Sequence, residues 1–153
     1  MVADPMKSKK RSGASSKPPE PLVFFLDRSI GKLKVATALR QAGAQVAVHD
    51  DHFGQKTKDE NWLKETGKKR WIVLTKDKRI RHHQRELEAL MEAKVRAFVL
   101  TAGNIDGTEM AEIFVKALPK IRRFAVKYSP PFIATVSRSG SVSMLAIARR
   151  AIH

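Results

Sequence analysis

The chain of 153 residues contains no cysteine. Disulfide bonds, thiolate metal sites and cysteine nucleophiles are therefore all excluded. A chain without cysteine suits a reducing compartment, and we expect a cytoplasmic location. Stability must come from apolar packing instead. Apolar residues make up 42% of the chain, and a chain of this length forms one domain with a core rather than two.

Long apolar runs are also lacking. None approaches the roughly 20 residues that a helix needs to cross a bilayer, so we expect no membrane span. Residues 1–20 are basic and rich in Ser and Pro, and no apolar segment of signal-peptide type follows them. We expect a disordered basic tail over residues 1–20, followed by one folded domain over residues 21–153.

Acidic side chains are scarce relative to basic ones. The 30 Lys and Arg residues outnumber the 15 Asp and Glu residues, which gives a formal net charge of +15. Such a surface attracts polyanions, with nucleic acid as the leading partner and an acidic protein or an anionic membrane second. Nine basic residues lie between Lys64 and Arg85, against only Glu65 and Asp77. This block is either a solvated face or a binding surface beside Asp77.

Short apolar runs alternate with segments of helical periodicity. Runs rich in β-branched and aromatic residues predict strands at Leu22–Leu26, Gln45–Val48, Trp71–Thr75 and Val95–Leu100. Helical spacing predicts helices at Ile30–Ala42 with a stop at Gly43, from Thr57 to Gly67, at Gln84–Ala93, and at Thr108–Lys127 with an interruption or kink near Pro119. We expect a polar loop from His49 to Thr57.

The end of the chain has a different pattern. Two apolar runs, Phe132–Val136 and Val142–Leu145, flank a hairpin-like turn at Arg138–Ser141. Alternating strands and helices before it imply βαβ units with right-handed crossovers. The predicted fold is therefore of the α/β class, with three α/β/α layers, a mainly parallel central sheet and a C-terminal β-hairpin.

Two aspartates follow predicted strands. Asp27 comes directly after the first strand, and Asp77 comes two residues after Thr75 at the end of the third. Because ligands of an open parallel sheet bind outside the carboxyl ends of its strands, we expect both side chains at one edge. Each alone is also explained by turn chemistry, since Asp is common after strands and at helix caps.

A third acid lies near the start of the second predicted helix. Thr57 and Glu60 fit a capping box, in which Thr57 caps the helix and Glu60 reaches back to the cap. That interpretation leaves Asp59 in the first turn, pointing at the same edge. The spacing also permits the exchange of these roles, with Glu60 in place of Asp59.

Three carboxylates at one edge repel each other unless a cation neutralises them. Mg²⁺ or Mn²⁺ is the natural counter-ion, because both prefer oxygen ligands. Such an ion can activate water and stabilise charge on a phosphate. The acids Asp27, Asp59 and Asp77 within a basic rim therefore predict a metal-dependent nuclease. The best phosphate contacts are Lys76, Lys78, Arg79 and Arg81.

Other polar residues near this edge have a weaker case. His49, Asp50, Asp51 and His52 look like a metal cluster, but adjacent residues rarely face one ion, and we interpret them as a loop in which Asp51 remains an optional ligand. His82 and His83 fit a solvated helix start. Thr101 and Asn104 follow the fourth strand, where they either orient a ligand or form a turn. Trp62 and Trp71 fit the core better than a base-stacking platform.

The residue series LVFFLDRS, HDDHFGQKTKDENWL, WIVLTKDKRI and VRAFVLTAGN resembles the PIN-like domain ribonucleases, and within them a VapC-type toxin subgroup. The likeness covers roughly residues 22 to 145. It implies an endoribonuclease that hydrolyses RNA, with Asp27, Asp59 and Asp77 as the family acids that hold Mg²⁺ or Mn²⁺. It also implies a cognate antitoxin protein that blocks the cleft, and a homodimer.

The chain departs from the family pattern at one position. Many members carry another acid about two residues after the third, where this chain has Arg79. A one-metal or weaker site is therefore one alternative, and a catalytically silent PIN-like nucleic-acid-binding or regulatory protein is another. A receiver domain is rejected, because only one acid follows the first strand and no lysine lies near Val136.

Overall fold

The computed structural model describes residues 22–31, 33–77 and 79–145, with the side chains of Arg79 and Arg81 left out. The tail predicted over residues 1–20 lies outside this part of the chain, as does Lys78. The strands are β1 Val23–Leu26, β2 Gln45–Val48, β3 Ile72–Thr75, β4 Arg96–Leu100, β5 Phe132–Val136 and β6 Val142–Met144. The helices are α1 Lys34–Gln41, α2 His49–His52, α3 Asp59–Lys68, α4 Arg79–His82, α5 Gln84–Ala93 and α6 Gly107–Lys127.

The strands form one sheet in the order β2-β1-β3-β4-β5-β6. Pairing is parallel from β2 through β5, and β6 alone pairs antiparallel, with Val136 opposite Val142. The hairpin turn closes with a hydrogen bond from the Ser137 N–H to the Ser141 carbonyl. The predicted α/β/α architecture with a mainly parallel sheet and a C-terminal β-hairpin is confirmed.

The sheet separates two apolar cores, because successive side chains of a strand point to opposite faces. In β1, Phe24 and Leu26 face the first core, which α1 and α6 cover, while Phe25 faces the second. The second core lies under α3, α4 and α5, where Leu63, Ile80 and Leu90 are fully buried. Burial on both faces explains why these strands read as continuous apolar runs.

The first helix ends where the sequence predicts and begins later. Gly43 adopts a φ of +94° after α1, and the Ala44 N–H returns to the Leu39 carbonyl, which is the glycine stop expected at this position. The predicted start at Ile30 is wrong. The Ile30 N–H bonds to the Asp27 carbonyl in a turn, and Gly31 has a φ of +87°, so the helix begins only at Lys34.

Three further local predictions need correction. The predicted polar loop contains the one-turn helix α2 at its start. Lys58 rather than Thr57 is the N-cap of α3, and no side chain caps that helix, so the capping box is wrong. Helix α6 runs through Pro119 as one element, so the predicted interruption is wrong, while the alternative of a kink there stays a prediction. Among the residues that the structure describes, none belongs to a helix long and apolar enough to span a bilayer.

Candidate active site

Three aspartates line one cleft at the carboxyl ends of the parallel strands. Asp27 follows β1, Asp77 follows β3, and Asp59 lies in the first turn of α3, whose N-terminus faces the same edge. The cleft has a volume of about 610 Å³. Glu60, the substitute for Asp59, also lines it. Sheet topology therefore brings together acids that are 50 residues apart in the sequence.

Asp27 is the deepest of these acids, with only 4% of its surface exposed. Its Oδ1 accepts hydrogen bonds from the Ser29 backbone N–H at 3.0 Å and from the Ser29 hydroxyl. Its Oδ2 accepts a hydrogen bond from the Thr75 hydroxyl. The Lys76 N–H in turn donates to the Ser29 Oγ at 2.8 Å. The Asp27 carboxylate is thus fixed between the ends of β1 and β3.

Burial changes the chemistry of this carboxyl group. The pKa of Asp27 rises from 3.8 to about 6, chiefly because desolvation disfavours the charged form. Hydrogen bonds from Ser29 and Thr75 lower the pKa, and the negative charge of Asp77 raises it. The carboxylates of Asp27 and Asp77 are therefore electrostatically coupled across the cleft.

Asp59 has a structural partner that the sequence did not reveal. The Trp62 indole N–H donates to Asp59 Oδ1 at 3.0 Å. Trp62 is almost fully buried and packs against Phe25, with ring centroids 5.3 Å apart. Asp77 is half-buried, and its backbone N–H donates to the Thr75 Oγ1 at 3.0 Å. Hydrogen bonds with the buried residues Trp62 and Thr75 thus involve the side chains of Asp59 and Asp27 and the backbone of Asp77.

Three basic residues line the cleft, and they are not the ones that the sequence predicted as phosphate contacts. Arg28, Lys58 and Arg85 line it. Arg28 Nη1 donates to the Gln55 carbonyl at 3.0 Å, and its Nε lies 3.6 Å from Asp50 Oδ1. The adjacency of Arg28 to Asp27, and the position of Arg85 in the first turn of α5, are the sequence signals that could have identified these two residues.

Of the four predicted phosphate contacts, only Lys76 has a side chain within the described part of the structure. Lys76 is half-buried and contributes its backbone N–H to the Asp27 network. Lys78 and the side chains of Arg79 and Arg81 lie outside the described part of the structure. Their roles stay predictions.

Thr101 and Asn104 do not line the cleft. The Thr101 N–H and hydroxyl both donate to the Val136 carbonyl, at 2.9 and 3.3 Å, which prolongs the β4–β5 pairing. Asn104 is exposed in a turn, with a φ of +29°. These contacts give both residues local structural roles, and their contact with a ligand stays a prediction.

The segment from His49 to His52 divides between buried and exposed residues. His49 is 2% exposed, lines the cleft, and places its Nδ1 3.2 Å from Asp50 Oδ1. Asp51 and His52 are exposed on α2, and neither lines the cleft. Sequence reasoning missed His49 because it assigned the whole segment to a loop.

The donor set of the cleft suits a hard divalent cation. Carboxylate oxygens are the preferred ligands of Mg²⁺ and Mn²⁺, and three aspartates line this cleft. Within residues 22–31, 33–77 and 79–145, no three His, Asp or Glu side chains already surround one point. The carboxylates must therefore move closer together to share an ion.

Comparisons with known proteins agree with this architecture. The sequence model of the family described as "PIN like domain" matches residues 22–102, which is more than half of the chain. Over 126 residues, the chain is 31% identical to a Mycobacterium tuberculosis H37Rv protein named "Putative ribonuclease VapC45". That alignment covers 80% of this chain and 91% of the relative. No solved structure matches the chain significantly.

The family match spans β1 through the end of β4, and so contains the described carboxylates of the cleft as well as the strands that position them. The full-length relative extends the likeness to most of the chain. On both grounds, this protein belongs to the PIN-like domain family.

Proposed function

We propose that this protein is a metal-dependent endoribonuclease that hydrolyses RNA phosphodiester bonds. The observation that carries the proposal is the convergence of Asp27, Asp59 and Asp77, from three separate elements, on one cleft with a basic rim. Three acids in a chain of net charge +15 suit a site that holds a cation and faces a polyanion. The ribonuclease name of the Mycobacterium tuberculosis relative supports the same activity.

The three aspartates share one task in this mechanism. Asp27, Asp59 and Asp77 hold Mg²⁺ or Mn²⁺, and Glu60 replaces Asp59 if its side chain lies nearer. A bound ion supplies an activated water and neutralises charge on the attacked phosphate. Ser29 and Thr75 fix the Asp27 carboxylate through hydrogen bonds to its two oxygens. Trp62 donates a hydrogen bond to Oδ1 of Asp59 and so helps to orient that carboxylate.

The rim binds the RNA backbone. Arg28, Lys58 and Arg85 approach the cleft from the β1–α1 turn, the α3 N-terminus and α5. Arg28 is held by Asp50 and by the Gln55 carbonyl while its side chain stays 51% exposed, so a phosphate can reach it. Lys76, Lys78, Arg79 and Arg81 follow β3 in the sequence, and the proposal includes them as further phosphate contacts.

The biological setting follows from the VapC-type resemblance. We propose that the protein is the toxin component of a toxin–antitoxin pair, that it acts in the cytoplasm, and that a cognate antitoxin covers the cleft. A homodimer belongs to the same proposal. Co-expression with the product of a small acidic reading frame beside its gene tests the partnership: stable co-purification with loss of RNA cleavage supports it.

Cleavage of labelled RNA with Mn²⁺, Mg²⁺ or EDTA tests the activity itself. We expect metal-dependent cleavage by the wild type and at least a hundred-fold loss in Asp77→Asn. Asp106→Asn is the matched control, because Asp106 caps α6 outside the cleft and the Asn side chain still offers an oxygen to the Glu109 N–H. Equal, metal-independent rates in all three proteins contradict the proposal.

A second candidate is a protein that binds RNA without cutting it. The absence of a three-ligand cluster in the described residues, together with Arg79 at the fourth acidic position of many relatives, favours it. The same assay separates the two. RNA binding that survives in EDTA, with no cleavage at any metal concentration, supports the silent alternative.

A further inference from the structure

Charge is unevenly distributed along the chain. No Asp or Glu occurs after Glu112. The 41 residues from 113 to 153 supply +8 of the net charge of +15. Their basic residues are Lys116, Lys120, Arg122, Arg123, Lys127, Arg138, Arg149 and Arg150. The cleft and its rim use none of them.

Four of these residues form a continuous row on α6. Lys116, Lys120, Arg123 and Lys127 are all exposed, and their spacing of four, three and four residues places them on one helix face. At 1.5 Å per residue, this row is about 17 Å long. We call these four residues the α6 stripe. Among the described residues, none of the four takes part in an ion pair.

The α6 stripe and the cleft lie on opposite faces of the sheet. Helix α6 covers the first core through Phe114 and Ile121, whereas the cleft lies on the side of α3 and α5. The second half of α6 also approaches the amino ends of the strands, because Arg96, the first residue of β4, donates to the Ala125 carbonyl at 3.3 Å. The two sites are therefore separated by the sheet, and the stripe runs from Lys116, beside Gly140 in the turn after β5, toward the amino ends of the strands.

Positive charge continues beyond the stripe at this edge. Arg96 Nη2 donates to the Arg70 carbonyl at 2.9 Å. The pKa of Arg96 is lowered, first by burial and then by the charge of Arg70. Cations are thus crowded at the edge of the sheet where α6 ends.

Helix electrostatics alone do not explain the stripe. Basic residues are stabilised by the helix dipole mainly within the last turn. That accounts for Lys127, the basic residue in the last turn of α6. Lys116 and Lys120 lie eleven and seven residues before the end of α6, and so gain little from it.

We propose that the α6 stripe binds the phosphate backbone of RNA at a second place, away from the cleft. This inference rests on the proposed function for its choice of RNA. A row of cations about 5 Å apart along the helix axis suits a linear polyanion with regularly spaced phosphates. The protein then binds RNA that is long enough to reach both sites more tightly than short RNA.

Binding of a long RNA in EDTA tests the stripe without cleavage. The variant is Lys120→Gln/Arg123→Gln, and the control is Lys64→Gln/Lys68→Gln, which removes the same charge from exposed positions of α3. With a 30-nucleotide RNA, we expect the stripe variant to lower the slope of log affinity against log salt by about 1.4–1.8, from two lost phosphate contacts. Equal losses in both variants, unchanged binding in the stripe variant, or no binding by the wild type overturn the inference.

A short substrate separates this inference from the proposed function. In Mn²⁺, the stripe variant should cut a tetranucleotide at the wild-type rate, because that substrate cannot reach α6. If the wild type binds the long RNA but cuts no substrate, the proposed ribonuclease activity is refuted. The proposed RNA binding by the α6 stripe is then judged from the binding data alone. Loss of tetranucleotide cleavage in the stripe variant overturns the remote site.

The same variants test two other kinds of anionic partner, a membrane and an acidic protein. Vesicles with 30% phosphatidylserine and polyglutamate serve as probes of a membrane and of an acidic protein. If the stripe variant loses binding to either probe while its RNA binding stays at the wild-type level, the surface serves that partner, and the RNA assignment is overturned.

Discussion

The indole nitrogen of Trp62 donates a hydrogen bond to Oδ1 of Asp59 at 3.0 Å, one helical turn along α3. The ring is 2% exposed and lies in a cluster of aromatic side chains beneath the cleft. Because packing fixes the ring, the hydrogen bond fixes the orientation of the carboxylate. The Trp62 N–H group therefore connects the core of the protein to the proposed metal ligand.

Replacing Trp62 by Phe should weaken metal binding through Asp59. Loss of the N–H removes a hydrogen bond that orients the carboxylate, and loss of such outer partners typically costs 10–100-fold in metal affinity. We expect the Mn²⁺ concentration for half-maximal RNA cleavage to rise by about ten-fold or more.

Two comparisons isolate this effect. Trp71→Phe is the matched control, because Trp71 stacks on Phe25 at 18° and is the other tryptophan of the chain. In an Asp59→Asn background, Trp62→Phe should have little further effect on the metal requirement. A similar shift in Trp71→Phe, or full additivity with Asp59→Asn, contradicts a role through Asp59.

Replacing Asp27 by Asn should stabilise the metal-free protein at neutral pH. The pKa of Asp27 rises from 3.8 to about 6 on folding, so between these values the folded state binds more protons than the unfolded state. The free energy of unfolding of the wild type therefore falls as pH rises through this window, by about 3 kcal/mol in total. The side chain of Asn carries no charge, so the free energy of unfolding of Asp27→Asn does not fall in this way as pH rises.

Urea unfolding in EDTA at pH 4 and pH 7.5 measures this difference. Asp27→Asn should exceed the wild type in stability at pH 7.5, with a much smaller difference at pH 4. Asp51→Asn, which removes an exposed carboxylate from α2, serves as the control. A pH-independent difference between Asp27→Asn and the wild type would falsify the burial argument.

Divalent metal should raise the thermal midpoint of the wild type at pH 7.5. A ligand that binds only the folded state, at a hundred times its Kd, stabilises it by about 2.7 kcal/mol, which corresponds to several degrees. Differential scanning fluorimetry with Mg²⁺ and Mn²⁺ measures the shift. Asp27→Asn should respond much less than the wild type, and the same shift in both proteins argues against Asp27 as a ligand.

Replacing Gly67 by Ala should destabilise the fold without touching the cleft chemistry. A Cβ at this position would lie 2.2 Å from the Ala93 carbonyl oxygen, where α3 and α5 cross. Overpacking of this kind typically costs 1–3 kcal/mol. Gly54→Ala is the control, because its nearest neighbour would be the Thr57 hydroxyl at 3.7 Å. Equal thermal midpoints for the two variants contradict the close approach.

The sequence by itself determined the layers of the fold and two of the three acids. Continuous apolar runs such as Val23–Leu26 need a sheet that is buried on both faces, and Gly43 ends α1 because its backbone takes a positive φ. Asp27 and Asp77 follow parallel strands, so their convergence depends only on strand direction. These features are local or topological, and both kinds of feature can be predicted from the spacing of residues along the chain.

Only the tertiary structure decided which side chains hold and flank the site. The turn after Asp27 differs from its predicted form, and there the Asp27 side chain bonds to Thr75 of a distant strand. The helix at His49 and the start of α3 also differ from their predicted forms. Trp62 was expected in the core, and the structure shows that it also binds Asp59. Arg28, Lys58 and Arg85 meet at one cleft only after β1, α3 and α5 have packed. Spacing along the chain sets which edge a residue reaches, whereas packing sets the direction in which its side chain points.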